Sequence, residues 1–212
     1  MKDLTAEDME ELDRRLVEEH GLSVERLMEN AGYQLADFIR RRYPRDPLIR
    51  IYIGPGNNGG DAAIAARRLH NWGFRVQTRT AGELREESLE ELRHVTESEG
   101  EDPDVLVDGL LGFGIDGDPR PPFDELVEEI NQLESDTVSV DIATGLDPDT
   151  GEEAEPCVEP DSTVSMAAPF QGMDEDNSGE IWVADISVPR EELEEMDAED
   201  FFLRGSVKRI TR

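Results

Sequence analysis

Lysine is almost absent from this chain of 212 residues, which carries only Lys2 and Lys208. No Gly-Lys-Ser/Thr follows its glycine-rich turn, so a Walker-type phosphate loop is excluded, and a Schiff-base lysine would have to be one of two near-terminal residues. The lone Cys157 can form neither an internal disulfide nor a multi-cysteine metal site. His20, His70 and His94 are scattered without metal-ligand spacing and read as surface or packing residues. No apolar run reaches spanning length and no charged-then-apolar leader is visible, so the expectation is a cytoplasmic protein without a membrane partner.

Cations of either kind are scarce. Asp and Glu number 52 against 21 Lys and Arg, a formal net charge of -31. A globular chain this acidic repels itself in dilute buffer, and high salt shortens the range of that repulsion; the composition resembles that of a halophilic protein. It also argues against nucleic-acid binding, which depends on cationic contacts to phosphate. Apolar residues at 36% together with 18 glycines keep the chain near the globular range, and its length suits a single domain over 1–212.

Along the chain, Thr5 begins a Thr-x-x-Asp cap, and helical spacing of Leu27, Met28, Ala31, Leu35 and Ala36 marks a second helix before the first strand. "LIRIYIG", "RVQTRT", "DVLVDGLLG", "DTVSVDIATG", "STVSMAA" and "EIWVADISV" read as strands. Between them lie helices from about Ala62 to Trp72, within "ELREESLEELRHVTES", and from Pro122 to about Leu133. This alternation predicts an α/β fold with a mainly parallel central sheet covered on both faces and two N-terminal helices. The core spans about 5–189; beyond it come an acidic stretch, "REELEEMDAED", read as helix-like or as a solvated connector with its charges facing solvent, and a basic tail that either clamps onto the acidic body or a second subunit or stays extended.

Ligands of open parallel sheets bind at the carboxyl ends of the strands. Three polar signatures fall there. "GPGNNGGD" at 54–61 brings Asn57, Asn58 and Asp61; "VDGLLGFGIDGDPRPPF" brings Asp108; "SVDIATGLD" brings Asp141 and Thr144. A carboxylate at the inner end of an apolar strand is costly to desolvate, and Asp108 and Asp141 would raise each other's pKa if they were close. A bound hard cation would relieve both problems, and the carboxylate, amide, hydroxyl and carbonyl oxygens suit one. "GPGNNG" also matches the G-x-G-x-x-G of nicotinamide-dinucleotide oxidoreductases. The following strand, however, ends in "TRTAGE" where that class needs an acid to hold the ribose.

Taken together, "LMENAG" at 27–32, "GPGNNGGD" at 54–61, "AARRL" at 65–69, "VDGLLGFG" at 107–114 and "VDIATGLDPDTG" at 140–151 resemble the NAD(P)H-hydrate epimerase family, the YjeF N-terminal domain family. The resemblance runs from the first helix to about "ADISVP". It implies a three-layer Rossmann-like fold and interconversion of the R and S hydrates of NADH and NADPH, with a separate dehydratase consuming the S form. By matched motif it implies K+ held by Asn58, Asp108 and Thr144, the last standing where the family has serine. It further implies substrate contacts from Asn57, Asn58, Gly59, Gly60 and Asp61, from Gly112, Phe113, Gly114, Ile115, Asp116, Gly117 and Asp118, and from Asp141, which is also the expected general acid or base. Family analogy implies a homodimer, and Arg79 is a candidate 2′-phosphate contact. The chain departs from the family at Ala62, where glycine is common, and at Phe170, where a lysine beside a phosphate-facing loop is common. The alternative from another class is a noncatalytic nucleotide-binding or scaffold module on the same fold.

Overall fold

The computed structural model describes residues 1–43, 46–99, 102–114, 117–202 and 205–211. Two helices come first, α1 (Ala6–Glu18) and α2 (Val24–Arg42), followed by β1 (Leu48–Ile53), α3 (Asn57–Asn71), β2 (Arg75–Thr80), α4 (Glu86–Leu92) and β3 (Val105–Gly109). Then come α5 (Phe123–Gln132), β4 (Asp136–Val140), β5 (Ser162–Met166), α6 (Glu175–Ser178), β6 (Glu180–Ala184), α7 (Arg190–Glu195) and β7 (Val207–Arg209). The sheet order is β2-β1-β3-β4-β5-β6-β7, with every pair parallel except β6 with β7. The strand order turns back at β1, so β1 and β3 lie side by side and their carboxyl ends open at the same place.

Central strands covered on both faces read as continuous apolar runs, and β1 and β3 are buried along their whole length. Arg50 and Tyr52 share one face of β1, where the Tyr52 hydroxyl donates to Glu129 of α5 at 2.8 Å. On the N-terminal side, the Thr5 hydroxyl accepts from the Asp8 N–H and the Asp8 carboxylate accepts from the Thr5 N–H, a reciprocal cap that starts α1 as its sequence predicts. No helix among the described residues is long and apolar enough to cross a membrane.

One segment differs from its sequence reading, and two take one of the alternatives it offered. The helix expected from about Ala62 begins five residues earlier, at Asn57, so the supposed turn is the first turn of α3. The acidic stretch takes the helix-like alternative as α7, though not all of its charges face solvent: Glu192 is buried at 4% exposure, and Arg15 and His20 of the α1 region meet it at 2.6 and 2.8 Å. The basic tail supplies the antiparallel edge strand β7, from which Arg209 bonds Glu180 at 2.7 Å, so this arginine clamps onto the acidic body of the same chain; Arg204 and Arg212 lie outside the described residues.

Candidate functional site

Backbone proximity builds the site. A methyl group added at Gly59 would lie 1.9 Å from the Gly54 carbonyl oxygen, and one added at Gly54 would lie 1.7 Å from the carbonyl oxygen of Leu110. The glycines therefore let the first turn of α3 sit directly on the ends of β1 and β3. Ala62 fits the same packing because it meets Gly109 of β3, where a methyl would be 2.4 Å from its own Cβ.

Beneath this junction lie Asn58, Asp108 and Thr144, linked through Leu111. Asp108, with no exposed surface, accepts from Thr144 Oγ1 at 2.7 Å, the Thr144 N–H at 2.9 Å, Ser139 Oγ at 2.9 Å and the Leu110 N–H at 3.2 Å. Burial pushes its carboxyl pKa up, and these four donors work in the opposite direction. Thr144 Oγ1 accepts from the Leu111 N–H at 3.0 Å, and the Asn58 amide donates to the Leu111 carbonyl at 3.0 Å. Asn58 Oδ1 is buried with no hydrogen-bond partner among the described residues. That orphaned oxygen, on a side chain tied through Leu111 to Thr144 and Asp108, belongs to an all-oxygen donor set that suits a hard cation. No group of three or more His, Cys, Asp or Glu that could hold a metal occurs among the described residues.

Above it opens a cavity of about 620 Å³ lined by α1, α2, the first turn of α3, the loop after β3 and the end of β4. Asp141 forms part of its floor. Its φ of 64° is left-handed, a conformation that Asp tolerates better than most residues. Neighbouring β5 holds it there: the Asp141 N–H donates to the Val164 carbonyl at 2.8 Å, Ser165 Oγ donates to the Asp141 carbonyl at 2.7 Å, and the Met166 N–H donates to Asp141 Oδ1 at 3.0 Å. Burial raises the Asp141 carboxyl pKa to about 7, against the Met166 hydrogen bond and with help from the charge of Asp13. Asp61 of α3 is 8% exposed, and its Oδ1 has no partner. Burial first, then the charges of Asp141 and Asp13, push its pKa well above the usual carboxylate range.

Of the residues expected at the substrate, Asn57, Asn58, Asp61, Gly112, Phe113, Gly114 and Asp141 line this cavity. Gly59 and Gly60 do not: Gly59 packs on Gly54, and the position of Gly60 is closed by the Met28 side chain. Gly117 and Asp118 also lie outside it, where Asp118 Oδ1 accepts from the Glu155 N–H at 3.1 Å. Ile115 and Asp116 lie outside the described residues. Arg79 is exposed on the edge strand β2, away from the cavity. The coupling expected between Asp108 and Asp141 is replaced by another, because Asp141 shares the cavity with Asp61 and Asp13 while Asp108 is enclosed by its own donors.

Phe170 is fully buried against Phe113, with ring centroids 5.1 Å apart, so this position supports the 112–114 loop from below. Sequence reading missed Asp13, Glu10 and Met9 of α1 and Arg85, which donates to Asn57 Oδ1 at 2.6 Å at the cavity wall. The available signal was the i, i+4, i+8 spacing of Met9, Asp13 and Val17.

Residues 24–172 match the profile of the family described as YjeF-related protein N-terminus. An NAD(P)H-hydrate epimerase of Plasmodium vivax is 38% identical over 168 residues, covering 72% of this chain and 58% of the relative. One of Cenarchaeum symbiosum is 34% identical over 183 residues, covering 78% of this chain and 86% of the relative. A bifunctional NAD(P)H-hydrate repair enzyme of Archaeoglobus fulgidus is 37% identical over 201 residues, or 89% of this chain and 42% of that protein. The crystal structure of yeast Ynu0 superposes with a TM-score of 0.86 over 99% of this chain and 100% of its own, at 22% identity, a likeness of fold.

Proposed function

The chain belongs to the YjeF-related N-terminal family, and on that premise we propose that it interconverts the R and S hydrates of NADH and NADPH. The observation that carries this reading is Asp141, a carboxyl at the floor of a ligand-sized cavity whose pKa of about 7 lets it hold or release a proton at neutral pH. The hydrate carbon bears a hydroxyl beside the ring nitrogen. Protonating that hydroxyl assists its departure as water, and the nitrogen lone pair stabilises the resulting cation. Water returning to the other face gives the second epimer.

In this reading the α3 first turn and the 112–114 loop hold the substrate, with Asn57, Asn58, Asp61, Gly112, Phe113 and Gly114 against it. Asn58, Asp108 and Thr144 hold K+, and the orphaned Asn58 Oδ1 supports that assignment. A potassium ion held by these residues would supply fixed positive charge to the site. A separate dehydratase then consumes the S hydrate, and the protein acts in the cytoplasm as a homodimer, an assembly that light scattering on the purified protein tests.

Incubating the purified protein with one isolated hydrate epimer and following the other by chromatography tests the activity. The expected outcome is conversion well above the spontaneous rate. Nucleotide binding without such acceleration would make the protein a binding module instead. Crystals soaked in a thallium salt are expected to show anomalous density between Asn58, Asp108 and Thr144, and an empty site at saturating salt would remove K+ from the reading.

A further inference from the structure

Asp13 is followed in α1 by two arginines, and neither neutralises it. Arg14 pairs with Glu11 and Glu18, each at 2.6 Å, while Arg15 reaches across to Glu192 at 2.6 Å and Glu195 at 2.8 Å. Among the described residues Asp13 makes no ion pair or side-chain hydrogen bond. Its place in α1 explains why: Met9, Asp13 and Val17 form the stripe that faces the cavity, and the arginines lie to its sides. The carboxyl is half-buried, and burial and the neighbouring Glu10 raise its pKa.

Two further aspartates line the same cavity. Asp141 comes from the end of β4 and Asp61 from α3, whose Oδ1 is buried, unpartnered and part of the same cavity. The cations at this cavity are Arg14, engaged by its own glutamates, and Arg85, which donates to Asn57. Four carboxyls, those of Glu10, Asp13, Asp61 and Asp141, thus line the cavity, and both of its arginines are engaged by other partners, a clustering of acid groups found at sites that move protons.

Epimerisation adds water to the face opposite the one it left. A carboxyl beside the departing hydroxyl assists departure and return on its own face, so acceleration of inversion above the spontaneous rate is best served by a second group on the other face. We infer that Asp13 is the second acid-base residue of the reaction, serving the face of the hydrate carbon opposite to the one served by Asp141; this rests on the function proposed above.

Starting from the epimer whose hydroxyl faces Asp141, the protonated Asp141 carboxyl gives its proton to that hydroxyl. The C–O bond breaks with its electron pair on the departing water, and the ring nitrogen lone pair forms the C=N bond of the cation. A second water attacks from the Asp13 side, the new C–O bond forms, the C=N pair returns to nitrogen, and the Asp13 carboxylate takes the proton released. Nothing is oxidised or reduced. One proton has moved from Asp141 to Asp13, which leaves the site charged for the reverse direction, and exchange with solvent through the cavity mouth resets it.

The test uses the full chain in high KCl, one pure hydrate epimer at a time, in ¹⁸O-labelled water, with the spontaneous rates subtracted. Asp13→Asn keeps size and helical position, and circular dichroism checks its folding. The expected result is loss of epimerisation by roughly 10²–10⁴-fold. For the epimer facing Asp141, the variant still exchanges ¹⁸O into unchanged starting material at near the wild-type rate. A merely structural role would lower exchange and inversion together, and that parallel loss would overturn the inference. So would epimerisation by Asp13→Asn within about threefold of wild type, or wild-type epimerisation without ¹⁸O uptake, which would point to ring opening. A wild type that accelerates neither process fails the proposed function itself, a result separable from failure of Asp13 alone.

Discussion

Asp141 is held in its left-handed conformation by β5 on three sides, and Asn is among the few residues that accept that conformation. Asp141→Asn therefore keeps shape, backbone and the acceptor for the Met166 N–H while removing the proton. Enzymatic epimerisation is expected to slow by roughly 10²–10⁴-fold with hydrate binding less affected. Stability gives an independent reading of the same group. A carboxyl raised from 3.8 to about 7 on folding stabilises the fold fully below pH 3.8, and this contribution is lost as pH rises to 7. Wild type and Asp141→Asn should thus be about equally stable near pH 4, and the variant should be the more stable near pH 8, by roughly 4 kcal/mol at most. Urea unfolding at the two pH values measures the difference; no change between them would mean that Asp141 is not held in its neutral form. At this scale the sequence was informative where polar residues interrupt β-branched strands, as at Asp108, Asp141 and Thr144. Asp13 offered no such contrast, being one acid among 52 in a helix full of them.

The strands were legible because continuous runs such as "LIRIYI" have no other stable place than the middle of a parallel sheet. The start of α3 was not. Its first five residues, Asn-Asn-Gly-Gly-Asp, are poor helix formers, and propensity alone puts the helix start at Ala62. Packing decides otherwise, since only a residue without a side chain can rest on the Gly54 carbonyl. The same facts make Gly59→Ala a sharp test of the element. In an ordinary helix this change stabilises by about 1 kcal/mol. Here the added methyl would sit 1.9 Å from the Gly54 carbonyl oxygen, so the expected result is a loss of roughly 1–3 kcal/mol, as for overpacking. Equal or higher stability in urea unfolding would show that α3 is not seated on β1 in this way. The α7 segment taught a related lesson: a charge run looks solvated until a partner such as Arg15 is placed beside one of its members.

Across the whole molecule, salt acts on two opposed sets of charges. Attractive pairs tie distant elements together: Arg15 joins α1 to α7, Arg67 bonds Glu29 of α2 at 2.8 Å as well as Glu91 of α4, and Arg42 joins α2 to Glu180 of β6 at 2.7 Å. Screening weakens such pairs, but contact pairs lie inside even the ~3 Å Debye length of 1 M salt or close to it. Repulsion among the excess carboxylates of a chain at -31 acts over longer distances, and the shortening of the Debye length from ~30 Å at 0.01 M removes most of it. The balance therefore favours the folded state in concentrated salt. Melting followed by circular dichroism is expected to rise steadily from millimolar to molar KCl. Screening depends on ionic strength alone, whereas occupation of the Asn58 cradle is saturable and specific to the ion. KCl should accordingly give an early increment that tetramethylammonium chloride lacks, after which both salts should raise the melting temperature in parallel. A melting temperature unchanged between low and high salt would defeat the repulsion argument, and identical curves for the two salts would defeat the cradle's contribution to stability while leaving repulsion intact.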